Sequence, residues 1–168
     1  SLQRPKTDFP DEMVFIIYHQ ITELYFKLSL HELDQICHNG KAISEMGQDR
    51  GWKDELEVDY FIRRMKRVNQ YFASLTKSFE IMVQGMEPDQ FLKFRMSLLP
   101  ASGFQSAQYR LIEISSTPLV NLVVKDKREA MQGKPLEEQA GHFYWKEGAM
   151  ELSSGKKTLM LKNFEKKY

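Results

Sequence analysis

The first part of the chain carries apolar residues at alternating steps of three and four, the spacing of one face of an α-helix. A second apolar stripe follows the same segment, and a helix that is apolar on two sides is expected to be largely buried. Asp8 is the predicted N-cap, with Pro10 and an acidic pair in the first turn, so this helix should begin near Phe9 and stop at His38 to Gly40. The first stripe comprises Val14, Ile17, Ile21, Leu24 and Leu28, and the second comprises Phe26, Leu30 and Leu33.

The next segment has the most regular period in the sequence and predicts one long helix from Val58 to Met86 with a coiled-coil-like seam. A cluster of Arg and Lys residues lies off this seam, which is typical of a solvated face rather than of a nucleic-acid stripe. Gly85 and Pro88 end the helix, and Pro88 can open a short one that runs to Leu99. The seam comprises Val58, Phe61, Met65, Val68, Phe72, Leu75, Phe79, Met82 and Met86.

The remaining segments also favour helices. A polar loop is predicted from Glu45 to Asp54, and a tight connection at Pro100 to Gly103 should precede an amphipathic helix that carries Phe104, Leu111 and Ile112. Further helices are predicted from Pro118 to Gly133, from Leu136 to Met150, and after a Thr158 cap. No segment alternates as a strand would, so the predicted class is an all-α helical bundle, with residues 1–168 forming a single domain.

Composition narrows the possible functions. The chain has 168 residues, 42% of them hydrophobic, which is enough for one well-buried domain. Its 24 Lys and Arg nearly balance its 23 Asp and Glu, so nucleic acid and anionic membranes are not expected as partners. The single cysteine, Cys37, excludes an internal disulfide. With no apolar run of signal-peptide or membrane-spanning type, we expect a soluble, cytoplasmic protein.

His19 raises the first question of chemistry, because its neighbours in sequence are apolar. Such surroundings should keep the imidazole neutral, and a buried ring must find a hydrogen-bond partner. That partner is either a nearby backbone group, as for an ordinary core histidine, or a ligand. A metal centre has little support because the four histidines, His19, His31, His38 and His142, are scattered and lack any Glu-x-x-His pairing. Cys37 has only His38 beside it, which does not make a catalytic pair.

Two further features suggest a binding site for a flat anionic ligand. Phe15 and His19 are four residues apart and so share one helix face, which puts an aromatic wall beside a polar group. Arg95 lies among apolar residues, where its guanidinium can bind a carboxylate through two bonds. An internal partner such as Glu113 or Glu32, or a side chain that reaches out to water, would explain Arg95 equally well. Ser102 and Gly103 follow Arg95 closely and offer a hydroxyl and an approachable backbone.

Two long blocks then carry a specific resemblance. The stretches "DEMVFIIYHQITELYFKLSLHELD" and "FLKFRMSLLPASGFQSAQYRLIE" resemble the two signature blocks of the tryptophan 2,3-dioxygenase family, in the same order and with a long helix between them. The resemblance covers roughly Arg4 to Ile114 and is looser from Pro135 to Tyr168. It implies an all-helical, haem b-dependent homotetramer. Such an enzyme inserts both atoms of dioxygen across the indole C2–C3 bond of L-tryptophan to give N-formylkynurenine, in the kynurenine pathway of tryptophan catabolism.

The resemblance also implies roles for individual residues. His19 matches the distal histidine that accepts a hydrogen bond from the indole N–H, Arg95 matches the arginine that binds the substrate carboxylate, and Phe91 matches an aromatic pocket position. Ser102 and Gly103 match the loop over the haem edge. The substrate-binding set implied in this way comprises Phe15, Ile16, Ile17, Tyr18, His19, Phe91 and Arg95.

The sequence departs from the family pattern in its later part. No proximal haem histidine can be placed, since "GHFYWKEG" around His142 does not match the proximal motif, and the threonine that helps to hold the substrate ammonium is not found either. The tyrosine-containing segment that family members lend to a neighbouring subunit is missing ahead of Ser1. We therefore expect an incomplete dioxygenase domain that lacks the C-terminal half, whose activity needs that half. The alternative is a truncated relative that serves as a haem-free helical binding or assembly module.

Overall fold

The computed structural model describes residues 3–36, 56–98, 106–150 and 155–167. In these ranges the fold is all-α, and extended backbone pairs only at two isolated bridges, Val123 with Phe143 and Met150 with Lys157. The described helices are α1 (Pro10–Asp34), α2 (Val58–Ser78), α3 (Glu80–Val83), α4 (Pro88–Phe94), α5 (Ala107–Ser116), α6 (Arg128–Met131), α7 (Leu136–Ala140), α8 (Tyr144–Glu147) and α9 (Leu159–Lys167). The chain divides into two compact units, Ser1–Leu99 and Pro100–Tyr168.

Helices α1 and α2 of the first unit run antiparallel, as their paired side chains show. Tyr60 contacts Gln35 near the end of α1, and Ser78 contacts Tyr18 near its beginning. Between these points the pairing continues through stacked rings, with Phe26 and Phe72 at 6.2 Å between centroids. The buried apolar side chains of this unit are Ile16, Tyr18, Leu30, Leu33, Ile36, Val68, Leu75, Met86 and Phe94.

The two apolar stripes of α1 differ in solvent exposure. The second stripe packs toward α2, as expected, with Leu30 and Leu33 buried. The first stripe is exposed in this structure, from 38% at Val14 to 62% at Leu24, so the prediction of a helix buried on both sides is wrong. The physical reason is that α2 and α4 cover the other side of α1.

The prediction for the start of α1 is right in position and wrong in detail. The helix begins at Pro10 with Phe9 as its N-cap residue, and Phe9 makes no side-chain capping bond. Asp8 is therefore not the cap. The polar groups ahead of the helix turn instead toward the Glu12 carboxylate, which accepts the N–H groups of Lys6 and Thr7.

The long predicted helix is interrupted once. It runs as α2 to Ser78 and resumes as α3 from Glu80 to Val83, and of its seam Val68, Leu75 and Met86 are buried. Pro88 occupies the first turn of α4, as predicted, but the helix tightens at its end into a 3-10 turn, Arg95–Leu98.

The second unit is built from shorter pieces than predicted. The region from Pro118 to Gly133 forms two 3-10 turns, Leu119–Leu122 and Lys125–Lys127, and then α6, while the region from Leu136 to Met150 is split into α7 and α8. The split has a cause, because the Val124 N–H donates to the His142 carbonyl and draws the chain out of the helix there. Thr158 does cap α9, through its Oγ1 and the Leu161 N–H at 3.3 Å. The core of this unit comprises Leu122, Val123, Phe143, Trp145, Ala149 and Leu161.

Candidate functional site

An aromatic cluster joins α1 to α4. The ring of Phe15 lies 5.9 Å from the rings of both Phe91 and Phe94, and Phe91 and Phe94 meet edge to face at 5.5 Å. Phe94 is completely buried and anchors the cluster, while Phe15 and Phe91 are partly exposed. Phe15, His19, Phe91 and Phe94 together form the aromatic cluster. Two of the sequence-predicted site residues from distant parts of the chain, Phe15 and Phe91, are thus brought together.

His19 extends the cluster along the same face of α1. Its ring lies 4.1 Å from that of Phe15, with the two planes 32° apart. Its Nδ1 lies 2.8 Å from the carbonyl oxygen of Phe15, and because a carbonyl can only accept, Nδ1 carries the hydrogen. In the neutral ring, Nε2 is then a hydrogen-bond acceptor. The expected backbone partner is therefore present, but the ring is exposed on this chain, so the expectation of an imidazole enclosed by apolar residues is wrong.

Arg95 stands at the end of α4, four residues beyond Phe91 and directly after Phe94. Its side chain is exposed. The two internal partners considered from the sequence bind other groups: Glu32 pairs with Arg64 and Arg67, and Glu113 pairs with Arg110. Among the residues that the structure describes, no ion pair to Arg95 occurs.

Two consecutive acidic residues connect the first turn of α1 to α4. The Asp11 carboxylate accepts the N–H of Glu87 at 2.7 Å, at the start of α4. The Glu12 carboxylate accepts the hydroxyl of Ser97 at 3.3 Å, in the 3-10 turn that carries Arg95. Burial raises the pKa of Glu12, but the donors from Lys6, Thr7 and Ser97 outweigh this and leave the pKa below its usual range. The carboxylate is therefore ionised at neutral pH, and it is held by neutral donors.

Glu12 and Ser97 are not among the site residues predicted from the sequence, where Asp11 and Glu12 are explained only as charges that suit a helix N-terminus. A signal was present, because Glu12 is the third residue after the N-cap residue, where a glutamate commonly turns back to bind backbone N–H groups ahead of the helix. Ser97 carried no comparable signal, since its contact with Glu12 spans 85 positions of the chain.

The other predicted site residues are placed less favourably or lie outside the description. Ile16 and Tyr18 are buried in the packing of the first unit, and Tyr18 points its hydroxyl toward Ser78 at 3.4 Å. Ile17 is exposed. Their role in substrate binding stays a prediction. Ser102 and Gly103 lie outside the described residues, as do Cys37 and His38.

The described ranges contain no group of three or more His, Cys, Asp and Glu side chains arranged to hold a metal ion. Within the second unit, His142 Nδ1 lies 3.0 Å from Glu147 Oε1 and 3.2 Å from Lys127 Nζ.

None of the described helices is both long and apolar enough to span a membrane.

Comparisons with known proteins give a consistent result. The family model described as tryptophan 2,3-dioxygenase matches residues 1–137. A tryptophan 2,3-dioxygenase of Alteromonas mediterranea is 40% identical over 105 residues, which is 62% of this chain and 26% of the relative.

Two further relatives agree. A tryptophan 2,3-dioxygenase of a Ruegeria species is 40% identical over 66% of this chain and 35% of its own length, and one of Bacillus thuringiensis is 37% identical over 67% and 36%. The chain thus spans about a quarter to a third of the length of these relatives. No solved structure matches it significantly.

Proposed function

The chain belongs to the tryptophan 2,3-dioxygenase family, and from this membership we propose that it supplies the substrate-binding face of a dioxygenase acting on L-tryptophan. The reaction proposed for the whole protein adds both atoms of dioxygen across the indole C2–C3 bond and yields N-formylkynurenine. The observation that carries the proposal is the aromatic cluster of α1 and α4, in which the rings of Phe15, His19 and Phe91 lie together and Arg95 follows Phe91 by four residues.

The indole ring finds suitable partners in this cluster. Phe15 and Phe91 are partly exposed, with their rings 5.9 Å apart and tilted by 35°. A planar apolar ring gains both area burial and favourable ring geometry against such a pair. Phe94 is completely buried and contacts both rings, at 5.9 Å from Phe15 and 5.5 Å from Phe91.

His19 is proposed to orient the indole. Its Nδ1 hydrogen is committed to the Phe15 carbonyl oxygen, so the neutral ring offers Nε2 as an acceptor. The indole N–H can only donate, and it fits this acceptor. A protonated ring would offer a second donor instead and would repel the indole N–H.

Arg95 is proposed to bind the substrate carboxylate. A guanidinium matches a carboxylate through two parallel N–H bonds, which fixes orientation as well as affinity. With the carboxylate at Arg95 and the indole packed against the exposed edges of Phe15 and Phe91, both ends of an aromatic amino acid are held.

Haem b is the cofactor that family membership leads us to propose, and when bound it supplies the oxygen chemistry. Haem iron needs an axial ligand such as a histidine nitrogen. Among the described histidines none is assigned to this need: His19 is proposed to accept from the indole, His31 is exposed, and Lys127 Nζ lies 3.2 Å from His142 Nδ1, where a cation disfavours a metal on the same ring. The contribution assigned to this chain is therefore to bind and orient tryptophan.

The same membership leads us to propose a homotetramer in the cytoplasm for the whole protein. Native mass spectrometry of the purified protein checks the assembly, and a monomer at micromolar concentration would contradict it. A titration with haemin, followed through the Soret band, checks the cofactor. The absence of a saturable change would favour a haem-free binding module.

The central test compares L-tryptophan with tryptamine, which lacks the carboxylate, by calorimetric titration with and without haemin. We expect the wild-type protein to prefer L-tryptophan and Arg95→Leu to lose that preference by about tenfold or more, since a charge-assisted two-bond contact is removed. Arg63→Leu serves as the matched control, because Arg63 is an exposed arginine of α2. An unchanged preference in Arg95→Leu would overturn the role of Arg95.

A second titration tests His19. We expect His19→Ala to weaken binding of L-tryptophan more than binding of 1-methyltryptophan, because the methylated indole has no N–H to donate. Equal losses for the two ligands would mean that His19 only packs against Phe15.

A further inference from the structure

The first turn of α1 reaches the segment that carries Arg95 through one buried carboxylate. Glu12 is only 1% exposed. Its Oε1 accepts the Lys6 N–H at 2.9 Å and the Ser97 hydroxyl at 3.3 Å, and its Oε2 accepts the Thr7 N–H at 2.8 Å and the Thr7 hydroxyl. One carboxylate thus binds four donors from two distant parts of the chain.

A second contact closes this arrangement into a ring. The Lys6 ammonium donates to the carbonyl oxygen of Ser97 at 2.8 Å, while the Lys6 N–H donates to Glu12. The Ser97 hydroxyl lies 3.3 Å from Glu12 Oε1 and 2.7 Å from the Phe94 carbonyl oxygen, so its single hydrogen is shared between these two acceptors. The Ser97 carbonyl is held by Lys6. Since Glu12 fixes the backbone of Lys6, both contacts with Ser97 depend on the same carboxylate.

The turn that is held in this way needs an external support. Arg95 to Leu98 form a 3-10 turn, whose hydrogen bonds have poorer geometry than those of an α-helix. Arg95 is its first residue, and its exposed side chain has no ion pair among the described residues to fix it. The direction of the guanidinium therefore depends on where the backbone of the turn is placed. Asp11 holds the opposite end of α4 through the Glu87 N–H.

We propose that Glu12 is a positioning residue for carboxylate recognition, which holds the Arg95–Leu98 turn so that Arg95 meets the carboxylate of an aromatic amino acid bound at the aromatic cluster. This inference rests on the proposed function of Arg95. Glu12 itself is buried and does not touch the ligand, so its effect is confined to the charged end of the substrate.

The same helix offers a matched control. Glu32 is a second buried glutamate of α1, at 2% exposure, and its partners are Arg64, Arg67 and Tyr71 of α2. Glu32→Gln therefore makes the same chemical change at a similarly buried position away from α4. Glu12→Gln leaves one acceptor oxygen for four donors, so it cannot hold Thr7 and Ser97 together.

The experiment measures the ratio of tryptamine to L-tryptophan dissociation constants by calorimetry, together with the melting temperature. We expect Glu12→Gln to lower the ratio by about tenfold with tryptamine affinity unchanged, and Ser97→Ala to lower it in the same direction by less. Glu32→Gln should lower the melting temperature and leave the ratio at the wild-type value.

The outcomes separate the two proposals. A Glu12→Gln protein that melts at a lower temperature but keeps the wild-type ratio of dissociation constants would overturn the positioning role. If Glu12→Gln fails to fold, Ser97→Ala decides instead, and an unchanged ratio in that variant would overturn the role. A wild-type protein with no preference for L-tryptophan, or an Arg95→Leu protein that keeps it, would instead overturn the proposed function.

Discussion

The two ends of α1 each bury a glutamate, and they accommodate its charge by different means. At the N-terminal end, Glu12 is bound by backbone N–H groups and hydroxyls, most of them from the residues just ahead of the helix. At the C-terminal end, Glu32 is bound by two arginines and a tyrosine of α2, with Arg64 Nη1 at 3.0 Å and Tyr71 Oη at 3.2 Å. Glu12 orders the backbone just ahead of α1 and reaches the turn after α4 through one weaker contact, whereas Glu32 joins α1 to α2 through charged partners.

Burial acts on both groups in the same direction and is outweighed in both. It raises the pKa of Glu32, but the hydrogen bonds from Arg64, Arg67 and Tyr71 leave that pKa below its usual range, as neutral donors do at Glu12. A buried carboxylate can thus be kept ionised by fixed dipoles or by opposite charges. At Glu12 these dipoles include the N–H groups of Lys6 and Thr7, so the charge binds the backbone just ahead of α1.

Removal of the Glu32 side chain should have the largest effect. Glu32→Ala leaves the largely buried guanidinium of Arg64 without its carboxylate, and breaking such a pair from one side is strongly destabilising. We expect a loss of about 3 kcal/mol in the free energy of unfolding, measured by urea denaturation. Glu57→Ala, at an exposed glutamate, is the control and should cost less than about 0.5 kcal/mol. A loss as small as that of the control would show that Arg64 finds water instead.

Removal of the Glu12 side chain should cost less, because the groups left behind are neutral. Glu12→Ala removes the acceptor of the Lys6 and Thr7 N–H groups, while the Ser97 hydroxyl keeps the Phe94 carbonyl oxygen as an acceptor. Lys6 is exposed, so water can replace the lost acceptor there, and the total cost should be close to that of one unsatisfied buried group, about 1 to 3 kcal/mol. We expect a destabilisation within this range in the same urea experiment. A cost above that of Glu32→Ala would reverse the comparison between the two ends.

The helices of the first unit could be read from the sequence because their signals are local. Pro10 and Pro88 begin α1 and α4, and the seam from Val58 predicts α2. The short pieces of the second unit could not, since the break at His142 depends on a bond to Val124, which lies 18 positions earlier. Apolar spacing shows that a segment can be helical, but it does not reveal a competing partner that is distant in sequence.

The candidate site was predictable to the extent that its residues have recognisable chemistry. Phe15, His19, Phe91 and Arg95 were found from the sequence, and the structure brings the first three into one cluster. The exposure of His19 was not predictable, because the apolar stripe beside it looks the same whether or not another element covers it. Glu12 was not predicted as a site residue because its partner Ser97 is distant in sequence and a serine hydroxyl carries no specific signal for such a contact.

Acid should weaken both ends of α1, by less than the truncations do, because protonation removes a charge but keeps the side chain. The folded-state pKa of each carboxyl is below its unfolded value, so the unfolded state binds more protons in acid. The stabilisation is complete above the usual pKa of a glutamate and is lost as the pH falls through the lowered values. Denaturation of the wild type between neutral and acidic pH should therefore show falling stability.

The variants Glu12→Gln and Glu32→Gln sharpen this measurement. Each should have a shallower acid dependence than the wild type, since one titrating carboxyl is gone. Glu147, whose pKa is lowered mainly by the hydrogen bond from Lys127, remains in both variants and maintains part of the slope. A variant with the full wild-type slope would show that its carboxyl is not coupled to folding.

The smallest effect is expected at Arg67, the outer partner of Glu32. Its side chain is 52% exposed and lies 3.3 Å from Glu32 Oε1, so the pair is largely screened by water. We expect Arg67→Ala to cost less than about 1 kcal/mol, and the cost to shrink further in 1 M salt, where exposed charges are screened over about 3 Å.

Arg63→Ala is the matched control for this prediction. Arg63 is also exposed and lies 3.9 Å from Glu57, which is itself exposed, so no buried carboxylate depends on it. Arg67→Ala should be the more destabilising of the two in low salt, because it withdraws one of the donors of a buried charge. If Arg67→Ala instead cost as much as Glu32→Ala, and did so in high salt as well, the C-terminal end of α1 would depend on the exposed arginine rather than on Arg64. In that case Arg64 would not be the main partner of Glu32, and the comparison between a carboxylate held by neutral donors and one held by a buried arginine would fail.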